Sequence, residues 1–118
     1  MFQAVLKEVV ENTEGGLASL LMDFEGIAVD SYVTSESLDI TAVGAEFSVI
    51  LKSIQRATES LEAGGAREIA IQSEKVTTLI RILNDEYFLA LTLAPDGNFG
   101  KCRYLMRTAA PKLLEQLS

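Results

Sequence analysis

The order of the secondary-structure signals constrains this chain most: helix, hairpin, long helix, three-strand meander, helix. Phe2, Val5, Leu6, Val9 and Val10 recur at helical spacing, so the first element is an amphipathic helix ending near Asn12. Glu14-Gly15-Gly16 stops it, because glycine takes the left-handed conformation that closes helices. Leu17 to Phe24 reads as a strand, Glu25-Gly26 as a two-residue turn, and Ile27 to Tyr32 as the partner strand. The run Leu17, Leu20, Leu21, Met22 is too apolar for simple alternation, which predicts a central strand covered on both faces.

Thr34, Ser35, Ser37 and Asp39 offer capping chemistry for the next helix, predicted from Ile40 to Glu62. It carries Ile40, Val43, Phe47, Ile50, Leu51, Ile54, Thr58 and Leu61 on one expected core stripe. A second, narrower stripe holds Ala42, Ala45 and Val49, with Glu46, Ser53 and Arg56 beside it. At ~1.5 Å per residue this helix spans about 35 Å, a surface for another protein to read rather than a place for chemistry. Gly64-Gly65 ends it.

Arg67 to Ser73, Lys75 to Leu83 and Tyr87 to Leu93 then read as strands, with Ile69 and Ile71 on one face of the first. Their short connections force antiparallel neighbours and hence a meander. Pro95-Asp96-Gly97-Asn98 is a turn. The last helix places Cys102, Leu105, Met106, Ala109, Leu113 and Leu117 on one face, and Pro111 predicts a kink or brief break around Arg107 to Ala110. The sum is an α+β fold: one domain, 1–118, with a five-stranded antiparallel sheet flanked by helices.

Composition narrows the function classes. The chain has 118 residues, 48% of them apolar, enough for a core without metals or disulfides. A net charge of −7 argues against nucleic acid and against an anionic membrane surface. The single Cys102 has no internal disulfide partner. Met1 to Lys7 lacks a signal-peptide pattern and no apolar run approaches ~18 residues, so a cytoplasmic protein without membrane insertion is expected.

No catalytic constellation is legible. Histidine is absent, which removes the usual general base and the commonest metal ligand. The segment Pro95 to Cys102 follows a strand and opens a helix as a phosphate-binding loop does, but Pro95 and Cys102 stand where that motif needs Gly and Ser or Thr. A turn and helix start is the plainer reading. Glu8 with Glu11, and Asp85 with Glu86, are paired carboxylates on expected solvated surfaces. Asp23, Glu25 and Asp30 approach one another around the first hairpin, a weak cation site at most, with spacing that matches no known metal loop. Arg56, Arg67, Arg81, Arg103 and Arg107 each have the chemistry of an arginine finger, and nothing separates one from the others. The expectation is a non-enzyme with no catalytic, cofactor or metal residues.

The stretch Glu14-Gly15-Gly16-Leu17-Ala18-Ser19-Leu20-Leu21-Met22-Asp23-Phe24-Glu25-Gly26-Ile27-Ala28 resembles the opening hairpin of the Roadblock (dynein light chain) family. The long helix from Ile40, the meander through Tyr87 to Leu91, and Gly100 opening the last helix are similar as well. Departures are Glu25, where the family commonly has Asp, and Pro111. The resemblance implies homodimers or heterodimers whose third strands pair edge to edge, with the two long helices side by side. It further implies a prokaryotic regulator similar to the MglB type, which acts on a Ras-like small GTPase and stimulates hydrolysis or holds the GTPase in place.

The residues add their own support. The strand Arg67 to Ser73 is an expected open edge, and small residues on the second helix stripe permit close helix approach. The expected dimer interface is therefore Ala42, Ala45, Val49, Glu68, Ile69, Ala70, Ile71 and Gln72, and the expected partner surface is Glu46, Val49, Ser53 and Arg56. The leading function is a homodimeric regulator or scaffold of a Ras-like GTPase. The alternatives are a structural assembly subunit with no GTPase partner and, last, a small-molecule sensor.

Overall fold

A computed structural model describes residues 2–35 and 38–118. Three helices and five strands follow the expected order: α1 Phe2–Glu11, β1 Gly16–Asp23, β2 Ala28–Val33, α2 Ile40–Ser60, β3 Glu68–Gln72, β4 Thr77–Ile82, β5 Tyr87–Leu93 and α3 Phe99–Leu117. All neighbours in the sheet are antiparallel and the strand order is β2-β1-β5-β4-β3. β1 is thus internal and β3 lies at an edge, as their compositions predict.

The sheet separates two apolar cores. On one face Val5, Leu6, Val9 and Val10 of α1 and Cys102, Met106, Ala109 and Leu113 of α3 pack against Leu21, Leu79, Leu89, Leu91 and Leu93. On the other, Ile40 and Leu51 of α2 pack against Ala18, Leu20, Met22, Ile80, Phe88 and Ala90. Alternation along β1 and β5 sends successive side chains to opposite cores, which explains strands that are apolar throughout. The buried hydroxyl of Ser19 donates to the Leu6 carbonyl at 3.0 Å, tying β1 to α1 without an unpaired polar group.

Three local expectations are corrected. The β1–β2 connection is a four-residue loop, 24–27, not a two-residue turn. The Asp23 carboxylate accepts from the backbone N–H groups of Glu25 (2.9 Å) and Ile27 (3.0 Å), and the Asp23 N–H donates to the Ile27 carbonyl (3.0 Å). A side chain that captures two backbone donors specifies a wider loop than strand alternation alone implies. Gly26 has φ +87° there, the left-handed backbone that glycine favours.

The second correction concerns the brief break expected at Pro111. α3 runs unbroken through it. Pro111 and Arg107, whose carbonyl loses its helical donor, are both exposed residues, while the buried residues of α3 are Cys102, Met106, Ala109 and Leu113.

The third is the core stripe of α2. Its fully buried residues are Ile40, Gly44, Ser48 and Leu51, with Phe47 and Ile54 partly buried beside them. Val43, Ile50 and Leu61 are exposed. The buried face is rotated toward the small residues because the helix approaches β1 closely at Gly44. A Cβ placed there would run into the Leu20 side chain and lie 3.1 Å from the Met22 sulfur. The α2 cap is Asp39, which accepts from the Ala42 N–H at 3.1 Å. Thr34 instead donates to the Leu17 carbonyl at 2.8 Å, and Ser37 lies outside the described residues.

Candidate partner-binding surface

The two sheet edges differ. β2 is irregular: its register shifts between Leu21 and Met22, where Ala28 and Asp30 are the partners and Val29 is the bulged residue. Its main chain is also occupied by side chains. The Ser31 N–H donates to the Asp30 carboxylate at 2.8 Å, and the Ser31 carbonyl accepts from Gln3 Nε2 at 2.7 Å. The Tyr32 hydroxyl donates to Glu11 at 2.8 Å, further fastening β2 under α1. β3 has none of this. It pairs with β4 in unbroken register from Glu68–Arg81 to Gln72–Thr77, and among the described residues no strand pairs with its other side. An edge of regular, unpaired N–H and C=O groups is a template for another strand.

The sheet face beside β3 is also incompletely covered. α2 packs chiefly over β1 and β2. Ile69, Ile71 and Ile82 therefore remain only partly buried at the margin of the α2-side core. Val43 and Ile50 lie on the flank of α2 opposite Ala45, which packs against the loop at Gly26. Phe47 and Ile54 connect that flank to the core that Ile69, Ile71 and Ile82 border. Val43 and Ile50 on α2, with the half-buried Ile69 and Ile71 on β3, thus form an incompletely covered apolar shoulder on the α2 side of the sheet.

The residues singled out in the sequence fall into two groups. Ala42, Glu46, Val49, Ser53 and Arg56 form one outward face of α2, where Val49 is 67% exposed and Arg56 donates to the Ser53 hydroxyl at 3.2 Å. Ala45 is half-buried against Gly26. Glu68, Ile69, Ala70, Ile71 and Gln72 all lie on β3, at the far edge of the sheet. Ile69 and Ile71 face the α2 side, while Glu68 joins Arg81 (3.9 Å) and Arg103 (2.7 Å) on the α3 side. Sequence reasoning missed Val43 and Ile50 by assigning them to the core. The signal was Gly44 and Ser48, whose small side chains mark where a helix approaches a sheet most closely.

The remaining chemistry is quiet. The oxygens of Asp23 and Asp30 hold backbone donors, and Glu25 pairs with Lys52 at 3.5 Å. Among the described residues no cluster of His, Cys, Asp or Glu is arranged to hold a metal. Pro95 to Cys102 forms a turn and a helix start. Asn98 caps α3 by accepting from the Lys101 N–H at 3.0 Å, and the Gly97 N–H donates to the Ala94 carbonyl at 2.9 Å. Burial pushes the Cys102 thiol up from its ordinary 9.0 to about 12, against a hydrogen bond from Thr13 that lowers it, while the Glu68 charge raises it further. Its sulfur lies 3.7 Å from that of Met106, so it is a core residue and not a nucleophile. Among the described residues no helix is long and apolar enough to cross a membrane.

Comparison with known proteins places this geometry. No protein-family model matches the chain, and no curated protein matches it. Solved structures do. MglC from Myxococcus xanthus is 40% identical, with 96% of each chain covered and a TM-score of 0.69. MglB from the same organism is 13% identical over 98% of this chain and 93% of that one, with a TM-score of 0.89. A Roadblock/LC7 domain from Streptomyces avermitilis is 11% identical over 98% of this chain and 96% of that one, with a TM-score of 0.88. The latter two show the fold. The identity to MglC across nearly the whole chain shows the kinship, and the chain belongs to the Roadblock/LC7 family.

Proposed function

We propose that this chain is a dimeric, non-enzymatic regulator or scaffold that binds a Ras-like small GTPase. The observation that carries the reading is the open β3 edge with an incompletely covered apolar shoulder, in a chain 40% identical to MglC. Two copies joined through β3 would extend the sheet across the dimer. They would also bring each Val43–Ile50 flank toward the half-buried isoleucines of the partner, removing apolar surface from water at ~25 cal/mol per Å². The outward face of α2, with Glu46, Val49, Ser53 and Arg56, then stands beside its copy as a broad composite surface. A GTPase docked there is regulated when that surface binds one arrangement of its switch loops better than the other.

The test is GTP hydrolysis by a Ras-like GTPase encoded beside this chain, measured with and without the protein, alongside direct binding to its GTP and GDP states. State-dependent binding supports a regulator and equal binding a scaffold. An absence of binding in both states overturns the GTPase partner and leaves a structural assembly subunit.

A further inference from the structure

The overall charge of −7 conceals a reversal on one helix. α3 carries four of the ten basic residues, Lys101, Arg103, Arg107 and Lys112, and one of the seventeen acidic residues, Glu115. It is net +3, which leaves −10 on the rest of the chain. Arg103 is committed internally. Its guanidinium meets Glu68 at 2.7 Å and lies 5.9 Å from the centre of the Phe99 ring. Lys101, Arg107 and Lys112 are exposed, and no acidic group among the described residues pairs with them. Tyr104, 53% exposed, stands between Lys101 and Arg107.

Unpaired cations on an acidic protein are kept apart from its many carboxylates by the fold. Bulk charge does not decide what such a surface attracts, since salt screens interactions beyond ~8 Å under physiological conditions. From Lys101 to Lys112 the strip runs about 16 Å along the helix. Its width is limited, because α1 packs alongside α3 and exposes Glu8 and Glu11. Helices in contact are roughly 8–10 Å apart. A flat anionic bilayer resting on α3 would therefore also meet the α1 carboxylates. A narrow acidic chain would not.

We propose that the outer face of α3 is an electrostatic docking strip for an acidic polypeptide segment of another protein. Carboxylates spaced along that segment meet Lys101, Arg107 and Lys112, and its backbone or an apolar side chain lies across Tyr104. α3 covers the sheet face opposite α2. A partner held there leaves the α2 surface clear, so one protein on each face is geometrically allowed and the chain acts as a bridge.

A fluorescein-labelled oligo-glutamate peptide is the probe, with binding followed by anisotropy at about 50 mM and about 300 mM salt. Phosphatidylserine vesicles and a duplex DNA are run in parallel. The wild-type chain is compared with K101E/R107E/K112E and with K52E/R56E/R67E, which has the same net charge but leaves α3 intact. Circular dichroism checks that both variants fold, and single reversals replace any triple variant that does not. The expected result is salt-sensitive peptide binding that falls by about tenfold or more in the α3 variant and by less than about threefold in the control. Equal losses in the two variants, or no binding at low salt, overturn the proposal. Tighter α3-dependent binding to vesicles or DNA than to the peptide also overturns it, by showing that the strip reads a different polyanion.

Discussion

Arg103 on α3 reaches across to Glu68 on β3 at 2.7 Å and so ties the helix layer to the open edge of the sheet. Arg81 joins them from β4 at 3.9 Å. The Glu68 side chain, expected from sequence to face a second copy, is thereby drawn to its own chain. The cluster is partly exposed, and such pairs contribute at most about 1 kcal/mol. Glu68→Gln is therefore expected to lower unfolding stability by about 1 kcal/mol or less in urea melts. A loss several times larger would mean that the pair is far better shielded than its exposure implies.

Gly44 gives a test with a definite sign. In an exposed helix interior, glycine to alanine stabilises by about 1 kcal/mol. Here the new methyl would collide with Leu20 and crowd Met22. Gly44→Ala is expected to destabilise by about 1–3 kcal/mol, because an overfull core must shift side chains or lift the helix. A stabilised variant would show that α2 sits further from β1 than described.

The apolar shoulder predicts which α2 residues hold a dimer. Ile50→Arg places a charge on the exposed flank of α2 opposite Ala45 and is expected to shift the mass toward a ~13 kDa monomer in light scattering at micromolar concentration. Val49→Arg changes a more exposed residue on the outward face and is expected to leave the mass unchanged while weakening GTPase binding. The reverse pattern would return the dimer contact to the Ala42–Val49 face.

Stimulation of a GTPase is expected to proceed without an arginine finger from this chain. Arg81 and Arg103 are held by Glu68, and Arg56 by Ser53. An inserted finger is worth ~10³-fold or more, whereas docking residues change the maximal rate little. With Arg56, Arg67, Arg81, Arg103 and Arg107 changed singly to Ala, the rate at saturating protein should fall by less than about tenfold. One variant that binds normally but loses nearly all stimulation would identify that residue as the finger.

Cys102 links stability to alkaline pH. Its folded pKa is about 12 against an ordinary 9.0, so above pH 9 the unfolded chain loses a proton that the folded chain keeps. That contribution to stability is fully present below pH 9 and declines as pH rises toward 12. Cys102→Ala is expected to show a shallower alkaline loss than wild type in pH-dependent urea melts. Parallel curves would mean that the thiol titrates alike in both states.

Element order, the internal position of β1, the edge position of β3 and the family resemblance were all legible in the chain. Each is carried by local pattern: helical spacing, continuous apolar strands, glycine at turns and connection length. Local pattern put Ile40, Phe47, Leu51 and Ile54 inward but did not decide where the buried face of α2 ends. Val43, Ile50 and Leu61 fit a core stripe by spacing, but spacing is blind to depth. The contact of Gly44 with Leu20 and Met22 turned the buried face away from them. Pro111 was judged by propensity alone, yet its exposed position let α3 continue. Charge was read as a sum, whereas packing collected unpaired cations on α3 and set Asp30 and Gln3 to close one sheet edge while the other stayed open. Periodicity is a property of neighbouring residues. Which face is buried, which edge is free and which charges lack partners depend on residues distant in sequence, and only the folded chain brings those together.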